Sequence, residues 1–375
     1  MGLNKELSDI CVISLEQAVA APYCGLLLAE AGARVIKVER PEGDFARDYD
    51  RGANGKSCIF AWLNRGKESI CLNLKDKNDL SFIKKIIKHA DVLLSNLAPG
   101  TLEKLGLINE ELRKNNPKLI SCKITGYGEN EKGFNRKAYD FLVQAESGLC
   151  SVTGTESSPT KVGISITDLS TGLTAYSAIL RSLINRSKTG KGIDISISMF
   201  DVMADWMNMP LLAHRYMGGA PKRMGLKHHF ISPYGVFKCG DKGKILLSIQ
   251  SNREFQSFCE NVLKKPELFK NKKFINNPNR NENREELDLI ITKVFSKYKT
   301  NEVIDILNKY KIANSRLNSV KDLSEHDLLN NGKAKIGNEL ISLANLPVLS
   351  NSQSNFFVPE IGQHTKIIKE EFNNK

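Results

Sequence analysis

Asp168 is the residue best placed to do chemistry. It closes the stretch Gly163-Ile164-Ser165-Ile166-Thr167-Asp168, and Leu169, Leu173, Tyr176, Leu180 and Leu183 then recur at steps of four and three. That spacing predicts a helix from Leu169 to about Leu183, ended by Lys188-Thr189-Gly190-Lys191-Gly192. A carboxylate at a helix start faces unpaired backbone N–H groups and the positive end of the dipole, which would keep it ionised. Such a carboxylate can simply cap the helix, or it can attack an acyl carbon. Arg40 and Lys75 each follow a strand-like run, where open α/β sheets bind their ligands.

The elements that must position these groups alternate. Strand-like runs are Asp9–Ser14, Arg34–Glu39, Ser69–Leu74, Asp91–Leu94 and Leu119–Thr125; helical patterns are Pro22–Ala31, closed by Gly32, and Leu80–His89. Asn96-Leu97-Ala98-Pro99-Gly100 begins a further helix carrying Lys104. The alternation predicts an α/β fold: a doubly wound, mostly parallel, Rossmann-like sheet domain. No G-x-G-x-x-G follows any strand, so a nicotinamide or flavin dinucleotide is not indicated. After Trp206-Met207-Asn208-Met209-Pro210 and the linker Gly218-Gly219-Ala220-Pro221, the pattern changes to strands (Val236–Cys239, Lys244–Ile249) and then helices (Arg253–Leu263, Arg284–Lys297, Thr300–Tyr310). This is a smaller α+β domain over 225–325. The large domain takes 1–215 and is completed by the tail, 330–375.

Composition narrows the classes. A chain of 375 residues with 41% hydrophobic and 26% charged residues is an ordinary soluble globular protein. No apolar run nears the roughly 20 residues of a membrane span, and no secretion signal is read at the N-terminus. The eight cysteines include no C-x-x-C pair and read as buried residues of a reducing cytoplasm. His228-His229 is the one histidine cluster, so no metal site is expected. The net charge of +12 comes from Lys spread along the chain, without a basic helix or stacking aromatic pair; a nucleic-acid-binding module remains the non-enzymatic alternative.

Several segments together resemble the class III CoA-transferase family, the formyl-CoA transferase and carnitine CoA-transferase group. They include Glu16-Gln17-Ala18-Val19-Ala20-Ala21-Pro22, Ala31-Gly32-Ala33-Arg34-Val35-Ile36-Lys37-Val38-Glu39-Arg40-Pro41, Asn96-Leu97-Ala98-Pro99-Gly100, Gly126-Tyr127-Gly128, Ala138-Tyr139-Asp140-Phe141 and Gly362-Gln363-His364-Thr365. The resemblance places Asp168 on the family's catalytic aspartate. It implies coenzyme A thioester as substrate, with no permanently bound cofactor, and an interlocked, ring-like homodimer. It also places Ala18, Arg40, Leu72, Leu74, Lys75, Asn96, Leu97, Lys104, Lys137 and Tyr139 on CoA-contacting positions. Three departures are visible: Val19 where formyl-CoA transferase has Gln, Thr125 where it carries Lys, and no tetraglycine loop.

The same fold family includes 2-methylacyl-CoA racemases, which exchange a proton between a His and an Asp. The His would fall at Tyr139, and a phenol of ordinary pKa near 10 is a poor base at neutral pH, so the racemase is the alternative reading. Within the transferases, Asp44-Phe45-Ala46-Arg47-Asp48-Tyr49-Asp50 and Trp62-Leu63-Asn64-Arg65 resemble the branch acting on C4–C5 dicarboxylates such as itaconate, mesaconate, citramalate and malate, with succinyl-CoA as donor. Arg47 and Arg65 are candidates for gripping the second carboxylate, with His228, His229 and Tyr234 closing the site. Against this, Arg47 can equally be an ion pair with Asp44 or Asp48.

Overall fold

The structure is a computed structural model that describes residues 5–107, 113–348 and 356–374. Its chain falls into two compact units: 1–150 with 161–211 and 330–375, and 151–160 with 212–329. Residues 151–160, which the sequence reading leaves in the large domain, group with the second unit.

The first unit is built on six strands: β1 (Cys11–Leu15), β2 (Arg34–Glu39), β3 (Glu68–Cys71), β4 (Val92–Ser95), β5 (Ile120–Thr125) and β6 (Asp194–Ser198). They lie in the order β3-β2-β1-β4-β5-β6, every neighbouring pair parallel. Both faces of the central strands are covered, so β1 and β4 read as largely continuous apolar runs rather than alternating ones. Val12, Val92 and Cys122 face one core with Ala21, Leu28 and Ile179. Ile13, Ile36 and Leu93 face the other with Ile83, Ile86, Ile368 and Phe372. Strand order reverses between β1 and β4, which is where a doubly wound sheet opens a crevice at its carboxyl edge.

The helices that frame the crevice are α1 (Ala20–Glu30), α2 (Cys58–Asn64), α3 (Lys77–Ile87), α4 (Thr101–Lys104), α5 (Asp140–Glu146) and α6 (Ile166–Thr189). α1 buries nine of its eleven residues, because the sheet covers one side and α6 the other. Its contact with α6 needs Gly172: a Cβ there would sit 2.5 Å from the Ala20 carbonyl oxygen. One expectation fails here. Residues 96–100 form no helix; Gly100 takes φ 77 and caps a single turn, Thr101–Lys104. Asn96 instead pairs both ways with the Gln17 backbone, at 2.8 Å each.

The tail returns to the sheet edge. His364 N–H donates to Ser69 O, Ser69 N–H to His364 Nδ1 and Cys71 N–H to Thr365 Oγ1, so β3 is not left as a bare edge.

In the second unit, antiparallel strands Tyr234–Lys238, Lys244–Ser248 and Ala313–Arg316 pack with helices Arg284–Phe295 and Thr300–Lys309 around Phe237, Ile245, Phe255, Ile291 and Leu307. The helix expected over 253–263 runs as α from Asn252 to Ser257 and then as a π turn, Phe258–Val262. Among the described residues no helix is long and apolar enough to cross a membrane.

Candidate active site

Asp168 stands in the first turn of α6, three residues after the N-cap Ser165, whose side chain makes no capping bond. The cap comes from another element. Asp140, the first residue of α5, accepts from the Thr167 N–H at 2.8 Å and the Asp168 N–H at 3.2 Å. Asp140 is itself held by the fully buried Gln144, whose Nε2 donates to it at 2.6 Å and whose Oε1 accepts the Val162 N–H. The dipole end of α6 is therefore spent on Asp140, and this corrects the expectation that it would keep Asp168 ionised. No described residue donates a hydrogen bond to the Asp168 carboxylate. Burial first, and the charge of Asp140 second, push its pKa up to about 7. The result is a carboxylate with little solvation and no partner, which is a reactive one once ionised.

The turn between β1 and α1 leads from Asp168 to a cavity. Gly172, four residues after Asp168, shares its helix face and meets Ala20 at the start of α1. Immediately before, Ala18 adopts φ 62, a left-handed conformation costing a non-glycine residue about 1–2 kcal/mol. The strain is held by anchors: Asn96 takes the Gln17 N–H and Asp44 the Ala18 N–H, at 3.2 Å. Glu16 and Gln17 then line a cavity of about 540 Å³ beyond the carboxyl ends of β1, β2 and β3. That volume suits a nucleotide-sized ligand.

The expected CoA positions divide. Arg40, Leu72, Leu74, Lys75 and Leu97 line this cavity, with Thr101 and Leu105 in addition. Arg40 and Lys75 are exposed cations, suited to phosphate. Asn96 and Ala18 act through the turn. Lys104, Lys137 and Tyr139 are exposed and lie off the cavity wall; Tyr139 is the N-cap of α5, beside the Asp140 bridge to Asp168.

The two substrate arginines are already engaged, which is a second correction. Arg65 is buried against Glu30, with Nε and Nη2 on one oxygen at 2.8 and 2.7 Å and Nη1 on the Trp62 carbonyl. Arg47 grips Glu39 through Nε and Nη2 at 2.9 and 2.8 Å, donates to Pro359 O and stacks 3.9 Å above the Phe60 ring. Its acid partner is Glu39, neither Asp44 nor Asp48. Both forks are filled by the fold. The residue that sequence reasoning missed is Tyr49: burial, then the charges of Asp44 and Asp168 and the nearby Tyr139, push its hydroxyl up to about 12. It stays a phenol, able to donate near Asp168. The signal was Asp44 itself, whose Oδ1 caps the 3₁₀ turn Phe45–Asp48 that delivers Tyr49.

His228, His229 and Tyr234 belong to the second unit. His228 and Tyr234 stack at 4.9 Å and 10°, and the Arg284 guanidinium binds the carbonyls of His228 and Ile231. Burial and then Arg284 lower the His228 pKa; burial, His228 and Arg284 lower that of His229. They are neutral rings at pH 7, not standing cations for a carboxylate. Among the described residues no group of His, Cys, Asp and Glu could hold a metal ion.

A doubly wound sheet with a cavity beyond the carboxyl ends of its strands, and an Asp with no hydrogen-bond donor among the described residues, fit what comparison with known proteins shows. Residues 7–365 match the family CoA-transferase family III, and the chain belongs to that family. It is 36% identical to the acetyl-CoA:oxalate CoA-transferase of Acetobacter aceti over 80% of this chain and 77% of that one. It is 34% identical to the succinyl-CoA:glutarate CoA-transferase of Mus musculus over 98% and 86%. Against the succinyl-CoA:mesaconate CoA-transferase of Haloarcula marismortui it is 34% identical over 70% and 68%. The crystal structure of a CAIB/BAIF family protein from Brucella suis superposes with a TM-score of 0.82 at 29% identity, covering 98% of this chain and all of that one. The protein is a class III CoA-transferase.

Proposed function

We propose that the enzyme moves CoA from succinyl-CoA to a small dicarboxylic acid through covalent intermediates on Asp168. The observation that carries the reading is the half-buried carboxylate of Asp168, which receives no hydrogen bond from any described residue and is joined through Ala20 and the 16–18 turn to a nucleotide-sized cavity. The ionised carboxylate attacks the donor thioester carbonyl; the C–S bond breaks, CoA thiolate leaves and a mixed anhydride forms. CoA thiolate then attacks the aspartyl carbonyl, releasing the donor acid and leaving an aspartyl-CoA thioester. The acceptor carboxylate attacks that carbonyl and expels CoA thiolate, giving a second anhydride. Attack by the thiolate on the acceptor's acyl carbon frees Asp168 and completes acceptor-CoA. No proton is gained or lost, so the site needs shielding from water more than an acid or base.

The acids named for the relatives, oxalate, glutarate and mesaconate, are all dicarboxylic, which supports a diacid acceptor. A C4–C5 acid is the reading we favour, with Tyr49 rather than Arg47 or Arg65 offering the hydrogen bond beside the reacting carbon. A homodimer is part of the same reading, and sedimentation velocity at twice the chain mass checks it. The substrate test is purified enzyme with succinyl-CoA against oxalate, malate, mesaconate, citramalate, itaconate and glutarate, reading product masses. A C4–C5 thioester as the fastest product is expected; transfer to oxalate alone, or to none of them, overturns the assignment.

A further inference from the structure

Beneath the 16–18 turn lies a set of fully buried charges that no step above uses. Glu16, Lys37 and Lys67 have side chains with no exposure at all. The Lys67 ammonium donates to Glu16 Oε1 at 2.5 Å, to the Pro22 carbonyl at 2.9 Å and to Asn64 Oδ1 at 3.1 Å. Glu16 Oε2 accepts from Ser14 Oγ at 2.7 Å. Lys37 reaches Glu16 Oε1 at 3.4 Å, the Glu16 carbonyl at 3.3 Å and Asp44 Oδ2 at 2.8 Å. The other oxygen of Asp44 holds the N–H of Ala18, the strained residue. Room for the pair is made inside α1: a Cβ on Gly25 would lie 2.7 Å from Glu16 Oε2 and 3.0 Å from Lys67 Nζ.

Two buried lysines and two buried acids are a poor way to gain stability, because desolvation offsets most of their attraction. Their placement gives them another use. They bind β2, the residue preceding β3 and the first turn of α1 to one short turn, from both sides of Ala18. We propose that Lys67 and Lys37, acting through Glu16 and Asp44, are positioning residues that lock the 16–18 turn so that a CoA thioester in the cavity presents its carbonyl to Asp168. Their effect is on the chemical step, and CoA affinity comes from elsewhere on the cavity wall. At pH 7 Glu16 and Lys67 are ionised: against burial, Lys67 and Lys37 hold Glu16 down at about 2, while burial, helped by the like charge of Lys37, lowers Lys67 only to about 8 because Glu16 and Asp44 hold it up.

This inference rests on Asp168 as nucleophile, which hydroxylamine trapping on the wild-type enzyme tests separately; the variants below leave Asp168 in place. Lys67→Met alone strands a buried carboxylate and should lower the melting temperature sharply. Glu16→Gln with Lys67→Met removes both charges and should restore melting to within about 5 °C of wild type. If the pair positions the turn, the double variant binds CoA within about threefold of wild type yet turns over at least about tenfold more slowly. A double variant that recovers turnover together with melting shows a structural role only and overturns the proposal. Gly25→Ala keeps every charge, favours the helix and displaces the pair, so it serves if the double variant does not fold. It should lower kcat several-fold with CoA binding kept, and an unchanged kcat overturns the proposal as well.

Discussion

Reactivity at Asp168 is set by what it lacks. Its pKa of about 7 places the group half neutral at physiological pH, and only the carboxylate can attack. Single-turnover transfer should therefore rise with pH through about 7 and level above it. Asp140→Asn keeps an acceptor for the Thr167 N–H but removes the repelling charge, so the midpoint should move down, by a minority of the shift because burial is the larger cause. Stability runs the other way. The folded pKa is raised, so stability is complete below the unfolded value near 3.8 and is lost as pH climbs through about 7. Asp168→Asn should abolish transfer by roughly a hundredfold or more. It should also stabilise the fold at pH 8 by on the order of 1–2 kcal/mol, and by less at pH 5, which urea titrations at the two pH values measure. If Tyr49 donates to the reacting carbonyl, as proposed above, Tyr49→Phe should cost roughly tenfold in kcat with CoA binding little changed.

Between elements, the contact that matters is α1 against α6. Gly172→Ala would press a methyl group onto the Ala20 carbonyl, a backbone atom that cannot swing aside. The expected cost is about 1–3 kcal/mol in denaturant midpoint, with kcat falling too because the start of α1 carries the strained turn. Such a contact is not visible in sequence. What is visible is periodicity: β1, β2, β4 and β5 and the body of α1, α3 and α6 follow from apolar runs and helical spacing. β6 was missed because Asp194-Ile195-Ser196-Ile197-Ser198 reads as half polar; Asp194 bonds Arg113 at the strand's exposed end and only its last two residues are buried. α2 and α5 were missed because each is only seven residues: the Ser57 hydroxyl that caps α2 is itself held by Asp50, and α5 has no side-chain cap at Tyr139, its Asp140 serving α6 instead. Short elements fixed by tertiary bonds leave little trace in spacing.

Across the whole molecule, resemblance pointed to Arg40, Leu72, Leu74, Lys75 and Leu97, which line the cavity, and to Lys104, Lys137 and Tyr139, which do not; side-chain pairings decided the rest. Arg47 and Arg65 look like free forks in sequence because Glu39 and Glu30, their partners, come from β2 and α1. Of the arginines and lysines behind the charge of +12, Lys37 and Lys67 lie wholly inside, and the exposed Arg40 and Lys75 stand at the cavity. If the cavity takes CoA by those two cations, Arg40→Ala with Lys75→Ala should raise the CoA dissociation constant by about tenfold or more and flatten its salt dependence, read by calorimetry. The most direct test of the account is intact-protein and peptide mass spectrometry of enzyme quenched during turnover with succinyl-CoA. Hydroxylamine added at the quench should leave a hydroxamate on the peptide containing Asp168 and on no other. An unmodified Asp168 in enzyme that is visibly forming product would contradict it.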